Sequence, residues 1–208
     1  MKIVISIDTD AIKALELFAG KHDARSYLNG IHVEALSPDT VRLVATDGHR
    51  AIVYRPANAG PFQATSPEET CPVGGVIPRD IFKGLPRRVD WPTLQVDTVR
   101  HRWEINDGER SGALLACHSD FPDIDRVWPS NVSFEMGHYN EQYIADIGKA
   151  AALLGHKSGA TLIQNGTRAA VFAIGEEWAG LLMPMRREPC LPTWVPTKMG
   201  ENREQQAA

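Results

Sequence analysis

One order of elements recurs three times along the 208 residues, and it restricts the fold more than any single motif does. Each pass reads as a short strand, an amphipathic helix, and strands in which apolar and polar residues alternate. MKIVISI opens the first pass as a strand. From Asp10 onward Ile12, Leu15, Phe18 and Ala19 recur at helical spacing, with Asp8, Thr9 or Asp10 placed to cap the first turn. YLNGIHVEAL then sets Ile31, Val33 and Ala35 on one face against His32 and Glu34 on the other. SPDT is a turn, VRLVA alternates again, and AIVYRP resumes a strand after a polar knot, Thr46 to Arg50.

The second pass follows a Pro/Gly/Ser-rich stretch, PANAGPFQATSPEETCPVGG, which reads as a loop. It has a strand at Gly75–Ile77 and a short helix from Pro78, a residue suited to the first helical position. TLQVDT, HRWEIN and ALLACHS are its remaining strands. The third pass starts with VSFEMG as a strand. Asn140 caps a helix with Ile144, Ile147, Ala151 and Leu154 on one face, and Gly155 stops it. ATLIQNGTRAAVFAI reads as a hairpin turning on Asn165-Gly166, and EEWAGLLMPMR supplies a last strand. The pattern predicts an α+β protein whose helices lie on one face of antiparallel sheets.

Composition narrows the function classes. A hydrophobic share of 43% and a charged share of 23% are those of an ordinary globular chain with a substantial core. A net charge of −4 excludes a protein coated in positive charge, although one face can still be basic. Cys71, Cys117 and Cys190 form no CxxC pair and are read as free thiols of a reducing compartment. Acidic residues follow MKIVISI too soon for a signal peptide, and no apolar run is long enough for a bilayer. The expected location is the cytoplasm, with no membrane partner.

Catalytic chemistry finds little support. CHSDFPDID gathers Cys117, His118, Asp120, Asp123 and Asp125, and the knot adds Asp47 and His49. These are metal-ligating types, yet the run lacks the glycine and distal glutamate of a calcium loop, and no HExxH is present. There is no GxSxG and no phosphate-cradling glycine loop. A metal-dependent hydrolase built on His118 and its neighbouring aspartates is therefore the third reading. The expectation is no catalytic residue, no metal and no cofactor.

Three segments carry a family resemblance. SYLNGIHVEALSPDTVRLVATDGHRAIVYR resembles the middle domain of bacterial DNA sliding clamps, the β subunit of DNA polymerase III. FPDIDRVWP is similar to the segment that follows that domain, and LLMPMR to the end of the clamp chain. The resemblance implies the sliding-clamp fold, repeated β-α-β-β-β units with helices lining a ring around duplex DNA. It implies a complete two-unit domain over 1–130, a half domain over 131–187, and an extension over 188–208 expected to be mobile.

It also implies a hydrophobic groove for short peptides of DNA polymerase and the clamp loader. By resemblance its walls are Leu28, Thr46, Gly48, His49, Arg50 and Ala51, then Pro122, Arg126 and Val127. Leu181, Leu182, Met183, Pro184, Met185 and Arg186 close it. Aliphatic and Met side chains suit a floor that accepts several related peptides. Duplex DNA contact is expected through Arg79, Lys83, Arg87 and Arg88 in the second helix region, where cations outnumber Asp80. A clamp chain has six units and this chain shows three, so a ring of twelve would take four copies. A stand-alone peptide-binding module that does not encircle DNA is the alternative.

Overall fold

The computed structural model describes residues 2–37, 40–56, 73–81, 83 and 92–186. The first unit comprises β1 (Lys2–Ser6), α1 (Thr9–Phe18), β2 (Gly30–Ser37), β3 (Thr40–Thr46) and β4 (Arg50–Tyr54). The second supplies β5 (Val73–Pro78), β6 (Thr93–Asp97), β7 (Arg102–Ile105), β8 (Arg110–Ala113) and the short β9 (Ala116–Cys117). The third supplies α2 (Glu141–Leu153), β10 (Thr161–Ile163), β11 (Ala170–Ile174) and β12 (Trp178–Leu182). No helix among the described residues is long and apolar enough to cross a membrane.

The helices begin where the caps are. The Asp8 carboxylate accepts from the Asp10 N–H at 2.9 Å, and the Asn140 side chain accepts from the Gln142 N–H at 2.9 Å. Each satisfies a donor that the first helical turn leaves without an internal partner. α1 buries Ala11, Ile12, Ala14, Leu15 and Phe18, the stripe that helical spacing predicts.

The first two units are completed by exchange. β1 does not join its own unit's sheet; it pairs antiparallel with β6 in a four-stranded sheet ordered β1-β6-β7-β8. β5 in turn leaves the second unit and pairs antiparallel with β2. Each unit thus gives its first strand to the other's second strand. The larger sheet runs β10-β11-β12-β4-β3-β2-β5-β9, so the third unit attaches where β12 meets β4. α1 and α2 pack side by side, and one core runs from Ile3 and Ile5 through Phe18 to Phe172 and Leu182. The Phe18 and Phe172 rings stack at 5.6 Å, joining the first unit to the third. Gly180 lets β12 approach, since a Cβ there would collide with the Phe172 ring and the Ala51 carbonyl.

Four expectations need adjustment. VSFEMG forms no ladder: residues 131–140 carry no strand, and among the described residues no second strand of another unit pairs with them. The hairpin after β10 is not a tight Asn-Gly turn. Its loop spans 164–169, and buried Asn165 organises it by donating to Ala169 O and accepting from Ser133 N. ALLACHS is no continuous strand; a break after Ala113 separates β8 from β9. Pro78 ends β5 rather than starting a helix, and residues 79–81 and 83 form a turn. The remainder of that expected helix, with Arg87 and Arg88, lies outside the described residues. So do Cys71, Cys190, the loop residues 57–72 and the extension from 187 onward.

Candidate peptide groove at the strand junction

The polar knot is a hairpin turn. Thr46 pairs with Ala51 across it, and the Asp47 carboxylate accepts from the N–H groups of His49 and Arg50 at 2.9 and 3.1 Å. The Thr46 hydroxyl donates to Arg50 O at 2.7 Å and accepts from Gly48 N at 3.1 Å. Gly48 takes φ +88°, a left-handed conformation that a side chain would strain. These bonds let the Asp47 and Thr46 side chains hold the shape of the knot.

The junction brings the three resemblance segments together. Leu181 pairs with Ala51 and Leu182 with Arg50, and the Met183 N–H donates to His49 O at 2.9 Å. Residues on one strand alternate between faces. Ala51 and Val53 point outward into a cluster with Val44, Phe121 and Ile124, which brings the 121–128 segment over the junction. Ile52, Tyr54 and Leu182 point inward to the main core. Pro122, Arg126, Val127, Met183, Met185 and Arg186 are exposed, Pro184 is half-buried, and Leu28, Ala51 and Leu181 are buried.

The arginine of the knot behaves differently from the expectation. Arg50 is only 7% exposed and faces the helix layer. Its guanidinium pairs with Asp47 at 3.0 Å and Asp146 at 2.8 Å, and donates to Leu17 O at 2.7 Å. It also lies over the Phe18 and Tyr143 rings, at 4.8 and 4.4 Å from their centroids. Burial alone would raise the Asp146 carboxyl; hydrogen bonds from Lys149 and Arg50 overcome that and leave it lowered. Arg50 is thus a clip between β4, α1 and α2. His49 stacks near Tyr143, at 6.3 Å between centroids.

A cleft of about 420 Å³ opens further along the outer face, lined by Val53, Arg55, Ile124, Trp128, Glu177 and Ala179 among others. These residues were not singled out from the sequence. Alternation through β4 was the available signal, since Val53 and Arg55 share the parity of Ala51.

The same outer face buries a polar network. The Arg42 guanidinium bonds Glu34 through Nε and grips Asp125 with two bonds of 2.7 and 2.9 Å. That grip holds the Asp125 carboxyl below its usual range. His32, 1% exposed, stacks between His118 and Phe121, at 5.1 and 4.3 Å. Burial, with His118 and Arg42 nearby, pushes its pKa down to about 3, so it is neutral. His32, Glu34 and His118 offer ligand atoms within 4.8 Å of one another, the one such group of three among the described residues. Arg42 already neutralises Glu34, which disfavours a dication there. Asp120 and Asp123 cap local turns through Cys117 N and Asp125 N, and Asp125 is held by Arg42, while His118 meets His32 at 3.2 Å and Glu34 at 3.4 Å.

Of the four expected DNA contacts, two are described. Arg79 is tied down, donating to Ala19 O and Gly20 O at 3.3 and 3.2 Å at the end of α1. Lys83 is 75% exposed and pairs with Asp80 at 3.0 Å. They share a cleft with Lys21, His22, Asn29 and Asp80.

This geometry defines a class: paired α+β units whose sheets run on across the junctions between them, the sliding-clamp fold. Over part of its length the chain is similar to bacterial beta sliding clamps. No protein family model matches it. It is 30% identical over 111 residues to the beta sliding clamp of Pseudomonas putida, a stretch covering 52% of this chain and 28% of that one. The aligned stretch is thus less than a third of the curated relative's length. The DNA polymerase III subunit beta of Pseudomonas aeruginosa superposes with a TM-score of 0.66 at 17% identity, over 90% of this chain and 66% of that one. The Helicobacter pylori beta clamp, solved with a DNA ligase peptide, gives 0.66 at 13% identity, over 88% and 65%.

Proposed function

We propose that this chain is a non-catalytic docking platform for replication proteins, taking short apolar peptides in the outer groove at the β4–β12 junction. The observation that carries the reading is the convergence of three distant segments at Ala51, which pairs with Leu181 and clusters with Phe121 and Ile124, while Val127, Met183 and Met185 of the same segments are exposed. Apolar side chains exposed together on a rigid sheet are what a peptide-binding surface needs. The partners are peptides of a DNA polymerase and its loader, in the cytoplasm, and the chain divides into a complete domain over 1–130 and a half domain over 131–187.

Duplex DNA threads the helix side in this reading, held by phosphate contacts through Lys83 and its neighbours. A platform that does not encircle DNA is the second reading, favoured by the internal use of Arg79 and the pairing of Lys83 with Asp80. A labelled DNA ligase peptide, titrated against wild type and a Val127→Glu/Met183→Glu variant, tests the groove. The expected loss of affinity is at least tenfold, about 1.4 kcal/mol or more. Equal affinity for both proteins removes the reading. Retention on circular but not linear duplex separates the two forms of it.

A further inference from the structure

The third unit has half of what the first two units share. In the completed pair, each first strand lies antiparallel to the other unit's second strand, β1 on β6 and β5 on β2. In the third unit the second strand, β10, is an edge among the described residues: β11 lies on one side and no described strand on the other. The first-strand segment, 132–137, leads to the N-cap Asn140 as β1 leads to Asp8, yet it joins no sheet. One unit therefore presents both a strand in need of an edge and an edge in need of a strand.

The segment is oriented for pairing. Ser133 N donates to Asn165 Oδ1 at 2.8 Å, Gly166 N to Glu135 O at 2.9 Å, and Gly137 N to Gln164 Oε1 at 2.9 Å. Odd-numbered backbone groups thus face the chain's own loop. The N–H and C=O groups of Phe134 and Met136 bond no other described residue. Their side chains stand 74% and 88% exposed, alternating with Ser133 and Glu135 as on a strand with one apolar face. Phe134 also takes φ +62°, a left-handed conformation that costs an aromatic residue energy and that extended pairing would relieve.

We infer that the third unit is completed by the third unit of a second copy, in a two-fold dimer. Segment 132–137 of each chain lies antiparallel to β10 of the other, and the two α2 helices share one layer. The occupant is a second copy because the same chain shows the same reciprocal exchange within residues 2–117, and because a two-fold axis satisfies both needs at once. The contact buries Phe134 and Met136 and removes an open sheet edge, both liabilities for a lone chain. Two chains so joined carry six units around one shared domain.

The test uses the full chain and a Phe134→Glu/Met136→Glu variant, whose exposed positions leave the monomer fold intact. Light scattering across a roughly hundredfold concentration range reads the mass. Wild type is expected at an even number of copies, with the variant falling to half that mass or less. Amide exchange at 161–163 is expected to be at least about tenfold slower in wild type than in the variant. Monomeric wild type overturns the inference, as does an unchanged mass in the variant. A monomer whose 161–163 amides are protected means that the chain covers its own edge, which also overturns it. Ligase-peptide binding in the same samples tests the groove separately.

Discussion

Ile3 and Ile5 of β1 are sealed in the core, whereas Phe134 and Met136, in the segment holding the same place ahead of α2, stand in solvent. The residue types do not explain that ranking, since phenylalanine and methionine offer as much apolar area as isoleucine. What separates them is the neighbour. β1 has β6 to pair with, and the third unit has no equivalent strand among the described residues. Burial in a sheet protein belongs to a strand and its partner jointly; a strand without its partner is only an alternating peptide.

The sharpest way to break this comparison is to ask how far the lone half leans on the first unit. Phe172 meets Phe18 across the junction, and Phe172→Ala should cost about 4 kcal/mol in denaturant unfolding, as a large core truncation does. If the third unit melts by itself at low denaturant while β1 and β6 stay protected, the halves are separable. Next in size is the clip. Arg50→Met leaves Asp47 and Asp146 facing each other without their shared cation, and should cost about 3 kcal/mol. A Tm shift with unchanged ligase-peptide affinity would fit its place on the helix side, whereas an affinity loss without a Tm shift would move it into the groove.

A smaller pair of effects tests the two first strands directly. Ile5→Ala should destabilise by about 2 kcal/mol, while Met136→Ala, at low protein concentration, should stay within about 0.5 kcal/mol of wild type. Equal losses would mean that the third unit's strand is already buried in the single chain. The smallest effect is a slope. His32 binds a proton less readily folded, at about 3, than in an open chain near its ordinary 6.5. Between those values the unfolded state binds more protons, so stability rises with pH across the window and is lost as pH falls through it. His32→Asn should flatten the slope measured by urea unfolding from pH 4 to 7.

Much of this fold is legible because its signals are local. Asp8 and Asn140 act as caps within two residues of themselves, and the apolar stripe of α1 needs only its own spacing. The exchange of first strands is not local, and no residue of MKIVISI says that its partner is TLQVD. The groove segments were found through resemblance, but the facing of Arg50 was available from parity with Ile52 and Tyr54. His32 and Glu34 alternate as a solvent face should, yet both are buried, because the 118–125 return lies over them. That return is held by Arg42 and Asp125, a contact no window of neighbouring residues contains. Asn165 misled for a similar reason: its side chain serves segment 131–133 as well as its own loop.

The pairing of β4 with β12 also has a consequence in time. β4 belongs to the first third of the chain and β12 to its last part, and their pairing is an interior junction of the eight-stranded sheet. As the polypeptide leaves the ribosome, β3 and β2 can assemble on β4 long before β12 exists. Until residue 182 emerges, the Ala51–Val53 edge is a bare, apolar template, and closing the sheet must wait on a long loop closure. During that interval aggregation through the exposed edge competes with completion of the sheet.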